Sequence, residues 1–475
     1  MKRLRHTVAS ALLAALLVVS GLTHVHGQKT AAPPRRIAVF GSSVANGTGD
    51  DPGKEGYTGR LRELLAPRGW EVLNQSRGGD NTKTMAPRFA AEGAPDPRIR
   101  YLLTVNPSYV LLGLSLGNEG IQNGTTKAEK DAIYNQFESG MRGFVERSRQ
   151  HHIIPIVTLC YTRNDFTAVE YEYTRRMNLA INAWDVPSVN FLGAVDDGTG
   201  KWAKGFWHDA LHPNAAGHAE LVRTFVPTLF EALEQGKPAP AFRAGIHAGP
   251  AFADTGFARV KGPDQPAIAF TPDASMHPFA FGITVRAPRE GAVATISGAS
   301  LAATTAMKRE ERAGGRGSIE FEETTLTSTT PFVATIGVQN GVWTYTAANG
   351  SVVRSQVQAD ARPHRLLVSH YTARGETLFF VDRKLAGATA ERLEPKRFAL
   401  GGSGEADFRD LLIYRSALNA DEVGALDNGR LLQASLEVYS PLTDAQFPSG
   451  GAVANLAQSL TSAKIVSASV QHIDK

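Results

Sequence analysis

The chain has 475 residues, of which 42% are hydrophobic, 20% are charged and one is a cysteine, and its formal net charge is +4. A charge this small predicts no nucleic acid or other polyanionic partner, and a lone cysteine excludes disulfide bonds within the chain. The length suffices for more than one folded domain.

The first 27 residues have the pattern of a secretory signal peptide. Lys2, Arg3 and Arg5 precede an apolar stretch from Val8 to Leu22, and small or modest residues follow up to Gly27. That stretch is shorter than the roughly 20 residues of a membrane span, so we expect no stable membrane insertion. Removal of residues 1–27 lowers the formal charge from +4 to +1. We expect a secreted or periplasmic protein; a retained anchor is the alternative.

Residues 36–234 alternate between short apolar runs and segments of helical period. One helix is predicted around Phe137 and Met141, and a last helix after Pro213 that carries Leu221 and Leu229. The apolar runs cover 37–40, 72–73, 109–114, 153–160 and 189–192. This order predicts an α/β domain with a doubly wound parallel sheet.

The pattern changes after residue 234. Residues 235–249 are rich in proline, glycine and alanine and predict a linker. In residues 250–475, turns such as Asn340-Gly341 separate short strand-like runs, which predicts an all-β sandwich. These runs include 332–338, 342–345, 365–370 and 377–381.

Two segments carry the residues of a serine hydrolase. Ser43 follows the apolar run Ile37 to Phe40 and a glycine, which predicts a serine at the carboxyl end of a strand, where open α/β sheets bind ligands. Asp209 lies three residues before His212, so one short segment can supply both a general base and the carboxylate that orients it.

These segments resemble the motif blocks of the SGNH, or GDSL-type, hydrolase family, which has a flavodoxin-like fold. Gly41-Ser42-Ser43-Val44 is similar to the nucleophile block, with Ser42 in place of the family's aspartate, and Asp209 to His212 is similar to the acid and base block. The resemblance implies Ser43 as nucleophile, His212 as base and Asp209 as its partner. It also implies an oxyanion hole formed by Ser43, Gly79 or its neighbour Gly78, and Asn118, which precedes Glu119 where aspartate is common.

Alternatives stay open for several of these residues. Ser115 lies in a G-x-S-x-G pattern after a strand and is a second possible nucleophile, as is Ser42. A metal site could include His208, Asp209, His212 and His218, because His208 and His212 are four residues apart and would share a helical face, although Pro213 argues against that helix. We predict no metal site and no cofactor. Cys160 lies in an apolar run and is predicted to be a buried strand residue rather than a nucleophile.

Two further sites are predicted less directly. Asn164 and Asp165 follow the fourth strand and are predicted to bind substrate, with an ordinary loop as the alternative. The segment Phe408 to Leu418 resembles laminin G-like, concanavalin A-like sandwich domains. Some proteins with that fold are glycosidases, but Glu320, Glu322 and Glu323 lack the expected spacing, which favours a polar strand face.

The resemblances together imply an exported esterase that removes O-acyl groups, preferably O-acetyl, from carbohydrate, with the sandwich able to bind glycan. One alternative is a lipid or thioester hydrolase, which would need a long apolar acyl channel. The other is a glycan-binding or adhesion protein without catalytic activity.

Overall fold

The computed structural model describes residues 35–239, 256–260, 266–286, 288–311, 317–402, 405–467 and 470–473. The predicted signal peptide and residues 240–249 of the predicted linker lie outside these residues. Within them, no helix is both long and apolar enough to cross a membrane.

The N-terminal region is built on a five-stranded parallel sheet in the order β2-β1-β3-β4-β5. Its strands are β1 (Arg36–Gly41), β2 (Glu71–Asn74), β3 (Tyr109–Gly113), β4 (Ile154–Thr158) and β5 (Ser188–Val189). This order is that of flavodoxin-like folds, so the predicted doubly wound α/β class is confirmed. Strands β1, β3 and β4 are buried on both faces, which explains why their sequences read as continuous apolar runs.

Helices cover this sheet. They are α1 (Ser43–Asn46), α2 (Gly56–Leu65), α3 (Thr82–Met85), α4 (Leu116–Glu119), α5 (Lys127–Gln150), α6 (Ala168–Asn182), α7 (Leu192–Val195), α8 (Ala215–Arg223) and α9 (Leu229–Glu234). The predicted helix around Phe137 is α5, which starts with a capping box between Thr126 and Glu129. The predicted last helix is instead two helices, because Pro227 has no N–H to donate and falls between them.

The described residues of the C-terminal region form two antiparallel sheets and one helix, α10 (Ala420–Asp427). Their inner faces share one apolar core, so they pack as a sandwich, as predicted. Whether it belongs to the laminin G-like group stays a prediction. The strands are β6 (Phe257–Val260), β7 (Ile268–Phe270), β8 (Phe279–Arg286), β9 (Gly291–Glu311), β10 (Ser318–Gln339), β11 (Val342–Thr346), β12 (Val352–Gln358), β13 (His364–Tyr371), β14 (Glu376–Val381), β15 (Lys384–Ala390), β16 (Leu393–Leu400), β17 (Ala406–Tyr414), β18 (Leu436–Ser440), β19 (Lys464–Ile465) and β20 (Val470–Ile473).

Strands β9 and β10 are much longer than the sequence pattern predicts. The inner half of β9 pairs with β16, and the inner half of β10 pairs with β11. Residues 301–311 of β9 and 318–328 of β10 pair as strands only with each other. We call this two-stranded extension the hairpin arm. It carries Glu320, Glu322 and Glu323, of which Glu320 is exposed and the other two are half-buried, in agreement with a polar strand face.

The α/β region and the sandwich share buried polar contacts. The Gln433 side chain donates hydrogen bonds to the carbonyl oxygens of Trp184 and Val186, both at 2.7 Å. Asn190 donates to the buried carboxyl of Glu422 at 2.8 Å. Because buried polar groups are costly to leave unpaired, these contacts favour a fixed arrangement of the two regions.

Candidate active site

Ser43 is the first residue of α1, two residues beyond the end of β1. The turn needs glycine at position 41, since a Cβ there would lie 2.2 Å from the carbonyl oxygen of Gly113 on the neighbouring strand. The close packing of these two strand ends places Ser43 at the carboxyl edge of the sheet, as predicted.

His212 and Asp209 lie in a tight loop between Trp207 and Pro213, which form an isolated β-bridge. One oxygen of Asp209 accepts backbone hydrogen bonds from Leu211 at 2.8 Å and from His212 at 3.0 Å. The loop therefore fixes the carboxylate before it meets the imidazole. No helix forms here, so the helical geometry required by the alternative metal site is absent from this described loop.

The structure brings Ser43, His212 and Asp209 into one chain of hydrogen bonds. Nε2 of His212 lies 2.9 Å from Oγ of Ser43, and Nδ1 lies 2.8 and 3.0 Å from the two Asp209 oxygens. With Nδ1 protonated toward Asp209, Nε2 is free to accept the hydroxyl proton of Ser43.

The charge on Asp209 is stabilised locally. Burial disfavours the carboxylate, but the contacts with His208 and His212 outweigh that cost and hold the pKa of Asp209 well below its ordinary value. Asp209 is therefore an anion at neutral pH and can stabilise an imidazolium at His212.

The two predicted oxyanion donors face the same cavity as Ser43. Asn118 accepts hydrogen bonds through Oδ1 from the backbone of Ser115 at 2.9 Å and the hydroxyl of Tyr161 at 3.3 Å, which leaves its amide N–H groups for a ligand. Gly79 adopts a φ of 82°, and a Cβ there would meet nothing within 4 Å, so its cavity side is open. A Cβ on Gly78 would lie 3.9 Å from Cβ of Ser43 and face the nucleophile directly.

Glu119, which stands where the family has aspartate, serves a structural role. Its carboxylate accepts hydrogen bonds from the backbone N–H of Thr82 at 3.0 Å and from the Thr82 hydroxyl at 2.6 Å, and it also contacts Gln136. It thus joins α4 to the start of α3 and to α5, and it supports the Asn118 turn from behind.

The cavity has a volume of about 410 Å³. It is lined by Ser42, Ser43, Thr48, Gly79, Asp80, Gly117, Asn118, Gln122, Tyr161, Arg163, Leu211 and His212. The sequence did not predict that Gln122, Tyr161 and Arg163 line the site. Arg163 is held by the carbonyl oxygen of Gly117 at 2.7 Å and by Asp165 at 2.6 Å, contacts that no local pattern signals.

Asn164 and Asp165, predicted to bind substrate, are not brought to the cavity wall. Asp165 pairs with Arg163, which does line it. The side-chain oxygen of Asn164 accepts a hydrogen bond from the backbone N–H of Trp202 at 3.1 Å. The backbone N–H of Asn164 donates to the carbonyl oxygen of Ala210 at 2.8 Å. Asp165 therefore supports a cavity residue through its side chain, whereas Asn164 contacts the loop of Asp209 and His212 through its backbone.

The alternative nucleophiles lack a base in the structure. Ser115 is fully buried, and its hydroxyl is 3.3 Å from both the N and the O of Tyr161. Ser42 is 1% exposed, and its hydroxyl has no hydrogen-bond partner among the described residues. Cys160 is completely buried, as predicted, which raises the pKa of its thiol to about 12 and keeps it protonated.

His218 makes the region beside the cavity sensitive to acid. Its Nδ1 accepts a hydrogen bond from the N–H of Tyr57 at 3.2 Å, and its Nε2 donates to the carbonyl oxygen of Thr48, a cavity residue, at 3.0 Å. Burial lowers the pKa of His218 to about 4, with Asp50 raising it and Arg60 lowering it. Histidine in an unfolded chain titrates near pH 6.5.

We therefore expect the free energy of unfolding to fall as the pH is lowered from about 6.5 to about 4, because the unfolded state then binds a proton that the folded state excludes. His218→Gln should reduce this slope, and replacing the exposed His151 by glutamine should leave it unchanged. Urea unfolding at a series of pH values measures both. An unchanged slope in His218→Gln would show that His218 does not cause this pH dependence.

An open α/β sheet with a serine, a histidine and an aspartate hydrogen-bonded in series at its carboxyl edge has the site geometry of a serine hydrolase. Residues 39–220 match the GDSL-like Lipase/Acylhydrolase family. This part of the chain is therefore similar to GDSL-like lipases and acylhydrolases.

Comparison with solved structures finds distant likenesses. The acetylxylan esterase Axe2 from Geobacillus stearothermophilus is 16% identical, with a TM-score of 0.30, over 40% of this chain and 90% of that one. A GDSL-like lipase from Bacteroides thetaiotaomicron is 14% identical, with a TM-score of 0.30, over 43% of this chain and 89% of that one. No curated protein matches the chain.

Proposed function

We propose that the protein is an exported serine esterase that removes short O-acyl groups, preferably O-acetyl, from carbohydrate. The observation that carries this proposal is the series Ser43, His212 and Asp209, joined by contacts of 2.8 to 3.0 Å beside a cavity of about 410 Å³. An ester of this kind needs a nucleophile, proton transfer and charge stabilisation, and the residues at the cavity provide all three.

The reaction begins when His212 accepts the hydroxyl proton of Ser43 as Oγ attacks the ester carbonyl carbon. The tetrahedral intermediate collapses, the alcohol leaves with the proton from His212, and an acyl-enzyme remains on Ser43. Water then attacks the acyl-enzyme with His212 again as base, and the carboxylic acid and free Ser43 are released. Throughout, Asp209 holds the Nδ1–H tautomer and stabilises the imidazolium.

The developing oxyanion is stabilised by hydrogen-bond donors at the same cavity. We assign these donors to the backbone N–H groups of Ser43 and Gly79 and to the side-chain amide of Asn118. The support for Asn118 is its fixed Oδ1, which leaves only N–H groups to face the cavity. Such donors act at full strength because they need no reorientation during the reaction.

The wall of the cavity favours a short acyl group over a fatty acyl chain. Among its lining residues, Leu211 and Tyr161 alone present large apolar groups. A long acyl chain gains its binding energy from contact with apolar surface, about 0.8 kcal/mol per buried CH₂ group, and only these two large side chains line the cavity to provide it. The amide oxygen of Gln122, which has no hydrogen-bond partner among the described residues, instead suits a hydroxyl group of a sugar.

The experiment that tests the function is acetate release from a panel of acetylated polysaccharides by the chain from Gln28. It is paired with a series of p-nitrophenyl esters from acetate to palmitate. We expect acetate release from at least one polysaccharide and a decline in kcat/KM beyond butyrate. A preference for palmitate would support the lipid hydrolase instead. Glycan binding without hydrolysis of any ester would support the non-catalytic alternative.

We also propose that the protein is exported and that its sandwich holds a glycan near the site. Export is supported by the pattern of residues 1–27, and glycan binding by the resemblance of the sandwich to lectin-like domains. N-terminal sequencing of the mature protein should start at Gln28.

A further inference from the structure

The hairpin arm of the sandwich lies against the loop that carries Asp209 and His212. The backbone N–H of Thr324 on β10 donates to the carbonyl oxygen of Gly205 at 2.9 Å, and the Asn214 side chain donates to the carbonyl oxygen of Glu322 at 3.0 Å. A Cβ on Gly205 would lie 2.0 Å from Oγ1 of Thr324, so the contact depends on a glycine there. The arm thus contacts the loop on both sides of the catalytic pair.

His208, directly before Asp209, lies between the arm and the catalytic carboxylate. Its Nε2 is 3.1 Å from a carboxylate oxygen of Glu310 on β9, and its ring centroid is 4.7 Å from that of Phe321 on β10. Its Nδ1 is 3.5 Å from the Asp209 oxygen Oδ2, and its backbone N–H donates to the carbonyl oxygen of His212 at 2.9 Å. One side chain therefore contacts both domains and the catalytic pair.

The charges around His208 favour its protonated form. Its contact with Asp209 at 3.5 Å raises the pKa of His208, burial opposes that change, and the negative charges of Asp209 and Glu310 raise it further. His212 lies across Asp209 from it. On the arm, Lys308 is paired with Glu323 at 2.5 Å and lies 3.4 Å from Asp51.

We propose that His208 is a positioning residue through which the hairpin arm orients Asp209 for His212, with Glu310 and Phe321 fixing the His208 ring. This inference rests on the proposed function. It makes the sandwich a structural part of the catalytic site, in addition to any glycan that it binds.

The test compares His208→Gln and Glu310→Gln with the control Glu311→Gln, whose side chain is 74% exposed one residue along the arm. For His208→Gln we expect kcat on p-nitrophenyl acetate to fall roughly 10- to 100-fold with KM within twofold, because a misplaced carboxylate misorients the base. For Glu310→Gln we expect kcat to fall several-fold, and for Glu311→Gln we expect the kcat of the wild type.

The pH profile separates positioning from general loss of structure. Loss of the cation beside Asp209 should shift the acid limb of kcat/KM in His208→Gln to higher pH, because Asp209 then interacts with His212 alone. A lower rate with an unshifted limb, or wild-type rates in both variants, would overturn the proposal. If His208→Gln does not fold, the kcat and the pH profile of Glu310→Gln test the proposal instead.

The rate at which a fluorophosphonate probe labels Ser43 distinguishes this proposal from the proposed function. A wild-type protein that neither reacts with the probe nor hydrolyses any ester overturns the function itself, and the positioning role with it. A wild-type protein that reacts, with His208→Gln reacting at the same rate, overturns only the positioning role.

Discussion

Replacing Ser43 with alanine is expected to lower the rate of acetyl ester hydrolysis by ~10⁴-fold or more. The reason is that His212 lies 2.9 Å from the Ser43 hydroxyl. The hydroxyls of Ser42 and Ser115, the alternative nucleophiles, have no histidine beside them. The measurement is kcat/KM on p-nitrophenyl acetate together with labelling by a fluorophosphonate probe.

The matched control is Ser42→Ala, which removes the neighbouring hydroxyl. Ser42 is buried and its hydroxyl has no base, so this variant should still be labelled by the probe. Peptide mapping of the labelled protein should find the adduct on Ser43. An adduct on Ser115 or Ser42 would show that the nucleophile had been assigned wrongly.

Local sequence patterns predicted the parts of the site that follow strand ends. Ser43 comes two residues after β1, and Asn118 comes five residues after β3, so knowing the strands is enough to place both at one edge. Asp209 and His212 are three residues apart, and their contact needs only a tight loop. The parallel sheet itself followed from buried apolar runs separated by helical segments.

Contacts between distant parts of the chain could not be predicted in this way. Glu310 lies 102 residues from His208, and both residue types are common on polar surfaces. The hairpin arm has no apolar alternation to reveal its strands, because much of it is exposed on both faces. Asn164 was predicted to bind substrate from its position after β4, whereas its contact with Ala210 depends on how two loops pack together.

Replacing Asp209 with asparagine is expected to lower kcat roughly 10⁴-fold while the fold is retained. The Asp209 oxygen Oδ1 already accepts hydrogen bonds from the backbone of Leu211 and His212, so the asparagine oxygen should occupy that position. Its NH₂ group then lies where Oδ2 is now, 3.0 Å from Nδ1 of His212. The asparagine oxygen stays 2.8 Å from Nδ1 as well, but the amide donor beside it opposes an N–H on Nδ1, so the tautomer that carries its proton on Nε2 gains population.

In that tautomer His212 can no longer accept the Ser43 proton, and the neutral amide cannot stabilise an imidazolium. The rate should therefore fall in kcat far more than in KM, since the cavity that binds substrate is unchanged. Circular dichroism checks the fold, and Asp51→Asn, an exposed carboxylate 3.4 Å from Lys308, is the control. A kcat within tenfold of the wild type would mean that Asp209 does not set the state of His212 and that another group orients the base.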